Sequence, residues 1–245
     1  MRSHCVRGIK LALLLLGLLC GVTVSAQVHL YAWQRPPLAS LDENGVPQGL
    51  AIELAGLMFA RAALDYRLDF VPFQRALYLA AREPDSCMLL VERRQDQESS
   101  YSWVGPLLIS RVGLYALPVN PPQLNSLADL GKVPVITHQG SAASEYLKGI
   151  GGTVEQASRE SLGWAMLQRG RAPLWATSPV VLRSVVASGE SPPVEVLPIL
   201  TLMEDMACNP QMDPEVLDSL RNALKELYEQ GDVHALYRQY GVELD

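Results

Sequence analysis

The sequence predicts an α/β protein built from two successive units, and three observations carry that prediction. From Val28 onward, apolar runs of strand length alternate with amphipathic segments of helical period. The alternation occurs twice, over residues 28–91 and again over 114–200, as in open sheets covered by helices. The chain then closes with two consecutive helices that carry start and stop signals.

In chain order, residues 28–33 (VHLYAW) read as the first strand, followed by a Pro36-Pro37 loop and the turn-forming cluster Asp42-Glu43-Asn44-Gly45. Leu50, Leu54, Leu57, Met58 and Ala62 recur at helical spacing, which predicts a helix over 49–63. Residues 66–70 alternate as a strand does, 75–82 read as a second helix and 86–91 as a buried strand. In the second unit, 114–118, 133–137 and 172–176 are strand-like, and helices are predicted over 125–130, 142–149, 161–170 and 180–187. After a further strand at 194–200, Asp213-Pro214 supplies an N-cap and a first-turn proline to a helix that ends at Gly231. The last helix runs from Asp232 to Tyr240 and stops at Gly241. No internal repeat of fixed period is present.

Residues 1–10 hold Arg2, Arg7 and Lys10 and no acid, an apolar run occupies 11–19, and Val24-Ser25-Ala26 fits a small-x-small cleavage site. That order reads as a secretory signal peptide removed after Ala26. The run is shorter than the roughly 20 residues a membrane span needs, and Cys20 follows Leu19 where a lipoprotein signal has a small residue. The mature chain is therefore expected to be exported, soluble, periplasmic and monomeric. Cleavage leaves 17 of the 20 Lys and Arg against all 26 Asp and Glu, a net −9. Phosphate binding draws on Lys and Arg, so that balance argues against a nucleic-acid partner.

Two cysteines survive cleavage, Cys87 and Cys208, 121 residues apart, which is neither a CxxC motif nor the spacing of a zinc site. They read either as buried thiols or as one disulfide, and an oxidising compartment favours the bond where geometry allows. His4, His29, His138 and His234 are scattered, without an H-E-x-x-H or a His/Cys cluster. Gly140-Ser141 is not part of a G-x-S-x-G elbow, and the glycines at 149–152 read as a turn rather than a phosphate loop. No metal, cofactor or catalytic residue is expected from these patterns.

Several stretches together resemble one family. They are the order strand, Pro36-Pro37, Asp42, Gly45, Gly49, helix; VPFQRAL at 71–77; WVGP at 103–106; MLQRGR at 166–171; and the closing helices through Gly231 and Tyr240-Gly241. In this order they resemble the family 3 extracellular solute-binding proteins over essentially the whole mature chain. The resemblance implies a type II periplasmic-binding fold, whose two lobes, each an open mixed sheet flanked by helices, are joined by two crossover strands and close on a small ligand. Lobe 1 would be discontinuous, 27–115 plus 204–245, with lobe 2 at 116–203. Both Cys87 and Cys208 would then lie in lobe 1 near the crossover, which favours a disulfide between them.

Amino-acid binders of this family carry an arginine that clamps the ligand's carboxylate. Counting back from Trp103, its place falls on Gln97, with Arg93 and Arg94 just upstream. Counting on from Arg171, the place of the family's amine-binding Asp falls on Ser178, beside Thr177. Losing both charges would leave a zwitterion desolvated and unpaired. Ligands of open α/β sheets sit at the C-terminal ends of strands, which selects Trp33, Gln34, Arg35, Arg75 and Glu92, Arg93 and Arg94 in one lobe. In the other it selects Gly140, Ser141, Trp175, Thr177 and Ser178. Trp33 and Trp175 either clasp a planar ring or belong to the core. Adjacent residues of an extended chain point opposite ways, so one of Arg93 and Arg94 is expected in the cleft and the other in solvent. The resemblance implies a binder that hands a small polar or carboxylated, amino-acid-like solute to an inner-membrane permease or sensor. An exported accessory protein that binds a partner, or a dehydratase using Glu92 as acid or base, are the alternatives.

Overall fold

The computed structural model describes residues 27–187 and 189–242; the signal-peptide reading and Cys20 lie outside them. Strand β1 (Val28–Ala32) leads through a two-stranded ribbon, β2 (Ser40–Leu41) and β3 (Pro47–Gln48), into helix α1 (Leu50–Ala62). Next come β4 (Tyr66–Phe70), α2 (Phe73–Arg82), β5 (Ser86–Glu92) and the long strand β6 (Ser102–Ala116). The second unit holds β7 (Val135–His138), α3 (Ala142–Gly149), β8 (Val154–Ala157), α4 (Leu162–Gln168), β9 (Leu174–Thr177) and α5 (Pro179–Val185). Strand β10 (Val194–Cys208) returns to the first unit, where α6 (Pro214–Gln230) and α7 (Asp232–Gln239) end the chain. The fold is mixed α/β, as the sequence implied.

The strands form one sheet in the order β4-β1-β5-β10-β6-β9-β7-β8. Pairing is parallel within β4-β1-β5 and within β9-β7-β8, and antiparallel around the two central strands. Strands β6 and β10 pair from Val194 opposite Ala116 to Cys208 opposite Ser102, and so run through both halves of the molecule. The sequence reading caught only 114–118 and 194–200 of these strands, and it missed β8. Gly105-Pro106, Gly113 and Pro198 punctuate the two long strands, and glycine and proline read as turns rather than as strand interior.

The apolar core divides where those strands cross. One cluster joins Leu30, Leu50, Leu54, Met58, Leu89, Val104 and Leu108 to Met206, Leu220, Leu224 and Leu227. Another joins Val112, Leu114, Val135, Leu147 and Leu174, with Trp164, Leu167, Trp175 and Val181 on the opposite face of the same strands. On β6 the change falls between Leu108 and Val112. Between those residues β6 carries Ser110 and Arg111, polar residues that suit a place where two cores part. Cys87 and Cys208 face each other across β5 and β10 in the first core and form a disulfide there.

Two glycines permit close approaches between neighbouring elements. Gly49 has φ 118°, and a Cβ there would lie 2.6 Å from the Leu38 backbone. Its absence lets α1 begin against the preceding loop, with Ala51 N–H donating to the Leu38 carbonyl at 2.9 Å. Gly163 brings α4 onto β9 so closely that a Cβ would sit 2.1 Å from Trp175 Nε1. Among the described residues no helix is long and apolar enough to cross a membrane.

Gly163→Ala must push α4 off a fully buried tryptophan, and overpacking of this kind costs about 1–3 kcal/mol. Calorimetry should show a melting temperature lower by several degrees. A disulfide closing a loop of this length contributes about 5 kcal/mol in the chain-entropy model, so Cys87→Ala/Cys208→Ala should shift the urea midpoint markedly downward.

Candidate functional site

The C-terminal ends of β1, β5, β7 and β8 converge where the two halves meet. The loop after β1 contributes Trp33 and Arg35, and the start of α2 contributes Phe73. Strand β5 ends in Glu92, β7 in His138, Ser141 caps α3, and Glu160 follows β8. With Leu90 these residues enclose a cavity of about 20 Å³, room for roughly one water. A second cavity of about 150 Å³ adjoins it. Phe73, Gln74, Leu77, Val91, Glu92, Arg94 and Gln97 line it from one half and Gly140 and Glu145 from the other. Phe73 and Glu92 belong to both chambers.

Arg35 is the electrostatic centre of the inner chamber. It is 6% exposed, its Nε donates to Glu160 at 2.7 Å and its Nη1 donates to Glu204 of β10. Glu204 has no exposed surface, and its other oxygen accepts from Ser110 of β6 at 2.8 Å. Burial works against the Arg35 charge, but Glu160 and Glu204 outweigh it and hold the guanidinium protonated. Its plane also lies 5.4 Å from the Trp33 ring centroid, within cation–π range. Two opposed halves and both central strands are thus tied through one side chain.

Further contacts close the cleft around this centre. Glu92 accepts a hydrogen bond from Ala142 N–H, the first turn of α3, where the helix dipole favours an anion. Burial and the neighbouring Glu204 nevertheless push its carboxyl up to about 7. Trp33 stacks on His138 with centroids 5.1 Å apart, and Phe73 meets both rings edge-on. Burial lowers the basicity of His138. On the far rim Ser184 Oγ donates to the Pro36 carbonyl at 3.1 Å, and Arg183 donates to the Gly241 carbonyl.

The sequence-selected residues divide among three settings. Trp33, Arg35, Glu92 and Ser141 line the inner chamber, and Glu92, Arg94 and Gln97 the outer one. Arg94 is bound to Asp96 through Nε at 3.0 Å and Nη2 at 2.6 Å. Arg93 is bound to Glu98 and Asp205 and lies over Trp103, and it lines neither chamber. Arg75 is exposed on α2, again outside both linings. Trp175 is 1% exposed and packs in the second core. Thr177 is buried beside it with no hydrogen-bond partner for its hydroxyl, and Ser178 caps α5 by accepting from Val181 N–H.

Sequence reasoning missed Glu160, Glu204, Phe73 and Ser110, and it counted His138 only as a stray histidine. Glu160 lies at the end of β8, so recognising that strand would have selected it. Glu204 sits in the hinge portion of β10, and nothing local distinguishes it from its neighbour Asp205.

No protein-family model matches the sequence, and no curated protein does. Solved structures do match. A histidine kinase sensor domain with similarity to periplasmic binding proteins shares 17% identity, 88% of this chain, 96% of its own and a TM-score of 0.79. The glutamate-bound ligand-binding core of GluR0 from Nostoc punctiforme shares 18% identity over 88% and 100% of the two chains, at a TM-score of 0.75. An ancestral amino-acid-binding protein, a precursor of cyclohexadienyl dehydratase, shares 16% identity over 87% and 94%, at 0.74. At these identities the likeness establishes the fold, the two-lobed type II periplasmic-binding arrangement read from the sequence.

Arg35→Ala strands Glu204 in the core without its counter-charge, and breaking a buried pair from one side costs about 3–5 kcal/mol; urea unfolding should register a loss of that size. The Glu92 carboxyl binds its proton more tightly folded than unfolded. Its stabilising contribution is therefore full below about 4.5 and lost as pH rises through about 7. Thermal melts of the parent from pH 5 to 8 should decline with pH, and Glu92→Gln should flatten that decline.

Proposed function

We propose that this is an exported, periplasmic solute-binding protein. It captures a small polar, amino-acid-like solute between its lobes and delivers it to a membrane permease or sensor. The lobes are 27–115 with 204–245, and 116–203; β6 and β10 act as the hinge. The observation that carries this reading is the pair of chambers with charged side chains in their walls at the strand ends, each walled by residues of both lobes, so that lobe movement would open and close them. Related folds include a sensor domain and amino-acid binders, which fits a receptor that reports or passes on its ligand rather than converting it.

One observation favours a second reading. Glu92 is poised near neutral pH inside a closed cleft, the condition of a general acid or base, and a dehydratase precursor shares the fold. The accessory-protein alternative draws on the commitment of both lining arginines, Arg35 and Arg94, to carboxylates of the protein itself.

A thermal-shift screen of residues 27–245 against amino acids, amines, dicarboxylates, aromatic acids and small sugars separates the three. A binder is stabilised by about 2.7 kcal/mol at 100 times the dissociation constant of its ligand, and NMR finds that ligand unchanged after incubation. Consumption of the ligand supports the enzyme. Silence across the panel with capture of a partner supports the accessory protein.

A further inference from the structure

We infer that the cleft ligand is a small organic cation that carries a neutral oxygen acceptor and lacks a carboxylate, such as an amino alcohol or an amide-bearing amine. The inference rests on the solute-binding reading and assigns its chemical class.

The argument begins with where each cleft cation is committed. Arg35 is held by Glu160 and Glu204, and Arg94 by both oxygens of Asp96. Arg93, tied to Glu98 and Asp205, lines neither chamber. Among the described lining residues no guanidinium is therefore left for the two-bond grip that recognises a carboxylate. The remaining anion seat of the cleft is the start of α3, a helix of 8 residues. There the Ala142 amide already donates to Glu92 and the Ser144 amide to Ser141 Oγ. A ligand carboxylate would have to evict Glu92 and then lie beside it.

The acids, in contrast, outnumber the cations. Glu92, Glu160 and Glu204 surround the single Arg35, and in the outer chamber Glu92 and Glu145 face Arg94, with Arg94 held by Asp96 and Glu145 by Lys148 at 3.0 Å, which still leaves five carboxylates to three cations. Among the described residues only the Ala142 amide bonds to Glu92, through one carboxylate oxygen, so the other looks for a donor. A ligand ammonium or guanidinium placed in the outer chamber supplies that donor and offsets the excess charge. Phe73, Leu77 and Val91 supply an apolar wall for its stem, with the Phe73 ring available to the cation. The outer chamber, at about 150 Å³, matches a molecule of about six heavy atoms, the size of benzene. The neutral acceptor follows from Trp33, which is 7% exposed, lines the inner chamber and has no partner for its Nε1–H. An unmet buried donor calls for an oxygen, and the surplus of carboxylates favours an uncharged one.

The test is isothermal titration of residues 27–245 with matched pairs: ethanolamine against serine, glycinamide against glycine, putrescine against ornithine and agmatine against arginine. Each carboxylate-free cation should bind at least tenfold more tightly than its parent, and the oxygen-bearing pairs should show the tighter members. Affinity should rise as pH increases through 7. The groups facing Glu92 are Arg35, Arg94, Glu160, Glu204, His138, Glu145 and the Ala142 amide, and of the carboxylates here Glu92 is the one pushed up to about 7. Glu92→Gln should weaken the cations at least tenfold, and Glu145→Gln serves as the second variant if Glu92→Gln fails to fold. Parent amino acids or dicarboxylates that bind as well as the cations would overturn the ligand class and leave the solute-binding reading standing. No binding by any cation would also overturn it, and silence in the wider screen as well would remove the solute-binding reading itself.

Discussion

The buried ion pair of Arg35 with Glu160 and Glu204 is the constraint on which the arrangement of the cleft depends. A guanidinium this deep is tolerable only when its charge is matched at once, because removing a charge from water costs several kcal/mol. Its partners come from the loop after β8 and from the hinge strand β10, and Ser110 of the other hinge strand completes the shell. Glu160 is the partner that the second half of the molecule contributes to Arg35, and with Glu204 it keeps the buried guanidinium matched.

The surroundings of Arg35 then shape the chemistry of the chambers. Glu204 is fixed behind the site by Arg35 and Ser110, and its charge disfavours ionisation of Glu92. The start of α3 has the opposite influence, since its amide donates to the Glu92 carboxylate. Burial and the neighbouring acid outweigh the helix, which leaves Glu92 balanced near neutrality. Trp33, stacked on His138 and beneath Arg35, seals the inner chamber from the side. The local sequence shows why Arg93 and Arg94 read ambiguously. Each had acidic neighbours within a few residues, Asp96 and Glu98, and a short polar turn let both pairs form locally.

Much of the fold was legible because it is local. The strand at Tyr66–Phe70 and the helix at Ala142–Gly149 coincide with their observed bounds, and the Asp213-Pro214 start and Gly231 stop of α6 act as read. Period and capping decide such elements within one or two turns of chain. The hinge strands were only partly legible, since their glycines and prolines mimic turns and their exposure changes where the lobes part. Of the candidate site, the strand-end rule selected Trp33, Arg35, Glu92 and Ser141, which line the inner chamber. It equally selected Trp175 and Arg75, because position along a strand does not say on which face a side chain lies.

The sequence alone determined the α/β alternation, the helix boundaries, the acidic balance and the resemblance that names the fold, all of which depend on neighbours in the chain. Only the tertiary structure decided that Arg35 belongs to Glu160 and Glu204, 125 and 169 residues away. It also decided that Glu92 caps a helix of the other lobe and that Arg93 and Arg94 are already paired. The physical reason is that charge pairing falls off with distance in space and not along the chain. A buried ion pair is therefore invisible until the fold has brought its members together.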